Sequence, residues 1–222
     1  MTAIRALLWR EVRGELRGRE IVPIVVVFGL LILVIMNFAF EPSSEEAKLL
    51  APGVLWVALA FSGILGVSRA ASRDEENGAL DGLLAAPIDR GTLYLGKMLS
   101  NLLFMLLAEL VLIPVFLVLY DMATLENLAG MLPVVALGTI GFVAVGTIFA
   151  AVAASTRMRE MLLPIVFLPV SVPILLAAVE ATAIVLRGEE TRYLFSWIRI
   201  LLVADFIFLV LSYLLFEYVL ED

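Results

Sequence analysis

Apolar and polar positions alternate on a long wavelength in this chain: six extended apolar runs are separated by short charged segments. A helix of about 18 residues or more is long enough to cross roughly 30 Å of hydrocarbon. The runs extend from about Ile21 to Phe40, Leu50 to Val67, Met98 to Tyr120, Gly130 to Ala154, Met161 to Leu186 and Ile198 to Phe216. The predicted fold is all-α, a polytopic membrane protein with six transmembrane helices forming a single domain over residues 1–222. The fifth run holds Pro164, Pro169 and Pro173, and the stretch from Met161 to Trp197 is longer than one span and its outer loop require. It reads either as a kinked span or as a broken, partly re-entrant one.

The polar segments set the orientation. The leader carries Arg5, Arg10, Arg13, Arg17 and Arg19, the loop after the second run carries Arg69, Arg73, Arg90 and Lys97, and the loop after the fourth carries Arg157 and Arg159. The other side holds Lys48, Arg187, Arg192 and Arg199, among acids such as Glu41, Glu45, Glu46, Asp121, Glu126, Glu189 and Glu190. The cation bias places both termini in the cytosol. Residues 1–20 form an amphipathic pattern in which Ile4, Leu8 and Val12 recur at four-residue spacing and Leu7, Trp9 and Leu16 widen the apolar face. This predicts an interfacial helix on the inner leaflet, with a bare topogenic charge cluster as the alternative. The following run is too long for a signal peptide and lacks a small-residue cleavage site, so the first span is expected to be retained. Lys97 reads as an inner-leaflet anchor. Trp9, Trp56, Tyr120 and Trp197 read as interfacial belt residues.

Composition narrows the function classes. Of 222 residues, 63% are apolar and 17% charged, against roughly 45–50% and 25% in an ordinary soluble domain. A soluble fold of this size has too little interior to hide that much apolar side chain. A net charge of −7 argues against nucleic acid as a partner. The chain has no histidine and no cysteine. Zinc sites, catalytic triads, disulfides and the usual haem ligands are therefore not expected. No metal site and no catalytic residue is expected in this chain.

The longest segment between apolar runs, residues 68–97, contains a false motif and a better one. Gly91–Met98, GTLYLGKM, nearly matches a phosphate-binding loop, but Met98 stands where Ser or Thr would hold Mg²⁺ and no strand precedes it. Just before it, Arg73–Pro87 reads RDEENGALDGLLAAP. Leu80, Leu83 and Leu84 form one face of a short helix that Pro87 stops, with Arg73, Asp74 and Glu76 ahead of Gly78. Such a face needs a partner, either lipid or a groove on a cytosolic protein.

Intramembrane polar residues are the remaining candidates. Glu109 lies near the middle of the third run and reads as a substrate-path carboxyl or as an acid bonded to a neighbouring helix. Glu180 and Asp205, with Arg187, Arg192 and Arg199 nearby in sequence, read as a salt-bridged gate or as a brace between two helices. Glu109, Glu180 and Asp205 are expected at different depths. Ala58, Ser62, Gly66 and Ala70, and Gly146, Ala150 and Ala154, form small-residue stripes that allow close helix approach, within the chain or between copies.

Three blocks carry a family resemblance: Ala51, Pro52, Gly53, Val54 and Trp56 at the entry to the second run; Arg73, Asp74, Gly78, Leu80, Leu83 and Pro87 in the loop; and Leu137–Thr139 with Gly141, followed by Leu168, Pro169 and Pro173. Over roughly residues 50–180 the chain resembles the membrane subunits of ABC-2 exporters and, more closely, the CcmB family, the haem-exporter permeases of cytochrome c maturation. The resemblance implies a permease subunit of the bacterial inner membrane that is not itself an enzyme. ATP and Mg²⁺ would bind a separate, dimeric ATPase subunit, and haem would be the cargo. It also implies a second copy of the chain, a haem-handling membrane subunit and a haem chaperone as partners. Arg73, Asp74, Glu76, Gly78, Leu80, Leu83, Leu84 and Pro87 would form the coupling helix, with a second contact at Ser155–Glu160. A general ABC-2 exporter of drug, lipid or glycan, or a non-transporting scaffold for release of a haem–chaperone complex, are the alternatives.

Overall fold

A computed structural model describes residues 2–40, 44–76, 89–154 and 163–219. The described residues form α1 (Thr2–Gly18), α2 (Ile21–Ala39), α3 (Glu45–Glu76), α4 (Arg90–Leu119) and α5 (Leu125–Ala154), then a π-helical turn (Leu163–Phe167) running into α6 (Leu168–Arg187), and α7 (Thr191–Val219). Six helices are long and apolar enough to cross a membrane, and they correspond to the six apolar runs.

α3, α4, α5 and α7 outgrow their apolar runs, α3 and α4 through their charged ends. α3 has 32 residues and α4 has 30, about 48 and 45 Å of helix against roughly 30 Å of hydrocarbon. Residues 68–76 and 90–97, expected as loop, are helical. Hydropathy marks where the hydrocarbon ends, whereas backbone hydrogen bonding continues as long as the polar side chains find partners. The connection between the two helices therefore shortens to residues 77–89. Leu80, Leu83, Leu84, Gly78 and Pro87 of the expected coupling helix, and Ser155–Glu160, lie outside the described residues.

α3 and α5 occupy the centre. α3 packs on α2, α4, α5 and α6, and α5 on α3, α4, α6 and α7. For each of them 72% of the apolar window is buried, against 17% for α7 at the periphery. Small residues make the close approaches possible. Val25 of α2 occupies the space beside Gly66, Leu112 of α4 that beside Gly29, and Phe167 lies against Gly146. Gly66 and Gly146, one from each small-residue stripe, thus pack within the chain.

The proline-rich run is a single span. Pro164 sits in the π-helical turn, Pro169 in the first turn of α6, where a missing N–H costs little, and Pro173 within the helix. The helix continues to Arg187 and ends on Gly188 with φ 65°, the left-handed conformation that suits glycine. No re-entrant segment forms among the described residues.

Candidate functional site

The charged end of the bundle is built around the last turns of α3. Arg73 reaches α1 and donates from Nη2 to Glu11 Oε2 at 2.8 Å and from Nη1 to Glu15 Oε2 at 3.1 Å. The other oxygen of Glu15 accepts from the backbone N–H groups of Ile21 and Val22, both at 2.9 Å. One side chain thereby caps α2, whose first turn has unpaired donors, and anchors α3. Arg19, in the break between α1 and α2, takes φ 51°, a left-handed conformation uncommon for a non-glycine. Asp74 receives Arg10 Nη2 at 3.3 Å on one oxygen and Lys97 Nζ on the other. Arg69 pairs with Glu20 at 2.7 Å. Four cations thus meet four acids. The Asp74–Lys97 pair joins the two helices that flank residues 77–88.

This clasp changes the reading of several residues. The inward edge of α1 is Leu7, Glu11 and Glu15, all buried, rather than the Ile4, Leu8 and Val12 face. Leu7 fits against Gly96 of α4. Lys97 is an ion-pair partner rather than a lipid anchor, because Asp74 stands within reach on α3. Arg73 and Asp74 are engaged in the stem, and Glu76 is the last residue of α3. The signal missed in the sequence is a shared period: Glu11 and Glu15 on α1, and Arg69 and Arg73 on α3, each repeat at four residues, which puts each pair on one helix face.

A second polar cluster lies at mid-membrane, on the Leu137–Gly141 motif at the centre of α5. The Trp56 ring occupies the space where Gly138 lacks a side chain, and its Nε1 donates to Thr182 Oγ1 at 2.9 Å. Thr139 Oγ1 donates to Glu109 Oε1 at 2.6 Å. The Asp205 carboxyl fills the space beside Gly141, together with Ile174. Residues 138, 139 and 141 lie within one helical turn, so Trp56 of α3, Glu109 of α4 and Asp205 of α7 meet α5 at one level, while Thr182 of α6 holds the Trp56 indole. Glu109 Oε2 and both Asp205 oxygens are buried without a hydrogen-bond partner among the described residues.

The geometry sorts the intramembrane candidates. Glu109 and Asp205 reach the same level of α5, not different depths, and enter from opposite sides. Glu109 is bonded to a neighbouring helix. Glu180 is exposed on α6 and stands apart from them. No gate or brace links it or Asp205 to the nearby arginines among the described residues: Arg187 pairs with Glu189 instead, at 3.7 Å. Trp56 and Tyr120 are not belt residues, with exposures of 3% and 0%: α3 begins earlier than its apolar run and carries Trp56 inward, and Tyr120 at the end of α4 packs on Phe116. Trp9, 65% exposed, keeps an outward position.

The chain is similar to known proteins along most of its length. The family profile described as CcmB protein matches residues 2–220. A relative from Bradyrhizobium diazoefficiens, named heme exporter protein B, is 30% identical over 188 residues, covering 85% of this chain and 84% of its own. Proteins of the same name from Rhodobacter capsulatus and Paracoccus denitrificans are 29% and 30% identical, over 84% and 80% of this chain and 84% and 81% of their own. The match runs through the leader helix, the α3–α4 stem and the glycine motif at the centre of α5, and on that extent the chain belongs to the CcmB family.

Proposed function

We propose that this chain is the permease subunit of an ABC transporter complex that handles haem for c-type cytochrome biogenesis in the bacterial inner membrane. The observation that carries the reading is the family match over residues 2–220, joined by relatives named heme exporter protein B. By this reading the whole chain is one permease domain and performs no catalysis. A dimeric cytosolic ATPase binds ATP and Mg²⁺, and two copies of this chain stand beside a haem-handling membrane subunit and a haem chaperone.

The charged clasp supplies a mechanical route. Residues 77–88, with Gly78, Leu80, Leu83, Leu84 and Pro87, dock on the ATPase. Their flanks are tied by Asp74–Lys97 and held to α1 through Arg73 with Glu11 and Glu15. Movement of the docked segment is then imposed on α3 and α4 together. These two helices carry Trp56 and Glu109 to α5, so the same movement shifts the mid-membrane contacts. Arg73 and Asp74 hold the stem, and the leucines make the contact.

Leu84→Asp places a charge in an apolar docking groove. The expected result is normal insertion of the chain with loss of c-type cytochromes and of haem-dependent ATPase stimulation. Normal assembly with normal cytochrome maturation would refute the coupling role. Gentle extraction of the tagged chain is expected to recover an ATPase and a haem-handling membrane subunit. An ATPase alone would favour a general exporter.

A further inference from the structure

The outer surface between α6 and α7 carries a groove of about 450 Å³. Pro173, Ile200, Val203, Ile207 and Phe208 supply its apolar walls, and Arg199 is its single charged lining residue. Ile200, Val203 and Ile207 are 46–58% exposed, so the groove opens sideways, towards lipid. It follows α7 from Arg199 to Phe208, a rise of nine residue steps or about 13.5 Å of helix. That is close to the depth of one leaflet, about 15 Å of hydrocarbon.

The cation at its head has no counter-charge among the described residues. Among the described residues Arg199 takes part in no ion pair or hydrogen bond. Asp205, the nearest acid along α7, turns away to Gly141. Glu180, at a similar level of α6, does not line the groove. α7 has 29 residues, about 43 Å, so a centred helix overhangs the hydrocarbon by about 7 Å at each end. Arg199 is eight residues into the helix, about 12 Å, so its Cα lies about 5 Å below the boundary. Its side chain can extend to the phosphate level. A guanidinium there matches a phosphate with two parallel N–H donors.

We propose that the α6–α7 groove is a binding site for an anionic phospholipid, with one acyl chain along Val203 and Ile207 and the phosphate on Arg199. The charge is complementary, the groove is one leaflet deep, and its opening admits a ligand from the bilayer. This proposal is independent of the cargo.

The full chain, extracted with its co-purifying subunits, is exchanged into detergent containing equal phosphatidylglycerol and phosphatidylcholine of matched chain length. Retained lipid is counted by native mass spectrometry. Phosphatidylglycerol is expected to be enriched roughly five-fold, the ratio for about 1 kcal/mol from one arginine. Arg199→Gln is expected to bring the ratio to parity and Arg199→Lys to preserve part of it. Val203→Trp, which fills the groove, is expected to lose the bound lipid with unchanged thermal stability. Parity in the parent chain, or an Arg199→Gln variant that keeps its selectivity, would overturn the proposal. So would an equal loss in Glu180→Gln. Displacement of the lipid by a dicarboxylate porphyrin in an Arg199-dependent manner would reassign the site to that ligand.

Discussion

Glu15 has two separate duties, one per oxygen, and its side chain is largely shielded from water. Removing it leaves two N–H groups of α2 without this acceptor and takes one counter-charge from Arg73. Glu15→Ala is therefore expected to cost about 3 kcal/mol, the scale for breaking a buried ion pair. Glu20→Ala is expected to cost about 1 kcal/mol or less, because that pair is partly solvated. Denaturant unfolding in micelles would compare the two. At mid-membrane, Gly138→Ala pushes a methyl group into the Trp56 ring. A loss of about 1–3 kcal/mol is expected, with partial relief by Trp56→Phe, whose smaller ring yields space. Additive losses in the double variant would refute the contact. The glycines and threonine of this motif are visible in the sequence. Their partners are not, since Trp56 lies 82 positions from Gly138 and Glu109 lies 30 from Thr139.

α3 and α4 behave as struts rather than as simple spans. Their charged ends remain helical because Arg69, Arg73, Asp74 and Lys97 each find a partner across the clasp. Amides of residues 68–76 and 90–97 are expected to exchange slowly with solvent, at rates comparable to the adjoining membrane-spanning turns. Fast exchange there would mean that hydropathy alone had placed the helix ends correctly. Asp74→Lys is expected to weaken the stem and lower cytochrome maturation. Adding Lys97→Asp should restore part of the loss, and only part, because Arg10 still faces position 74. Of the coupling residues, the stem pair has a structural assignment. The leucine face has its helical period from the sequence alone.

For the molecule in its membrane, the two ends of α7 offer a direct reading of orientation. Glu190 precedes the helix and Glu217 lies near its end, beside Arg90, which donates to the Glu217 carbonyl at 3.0 Å. The chain has no cysteine, so single cysteines can be introduced without background. Glu190→Cys is expected to react with an impermeant maleimide in intact cells, and Glu217→Cys only after permeabilisation. The opposite pattern would place the α3–α4 connection outside the cytosol and remove its access to an ATPase.

The sequence by itself determined the solvent and the number of spans. Transfer of a side chain into hydrocarbon depends mainly on that side chain, so a sum over neighbours along the chain suffices. It also determined that Glu109 and Asp205 are intramembrane carboxyls. Only the tertiary structure decided which charges meet, how far α3 and α4 continue as helices, and that Trp56 is interior. Each of these depends on a partner from another helix. Arg73 satisfied the hydropathy pattern equally well as a docking residue or as the counter-charge of Glu11 and Glu15. Packing α1 against α4, beside the end of α3, brought those two acids to it.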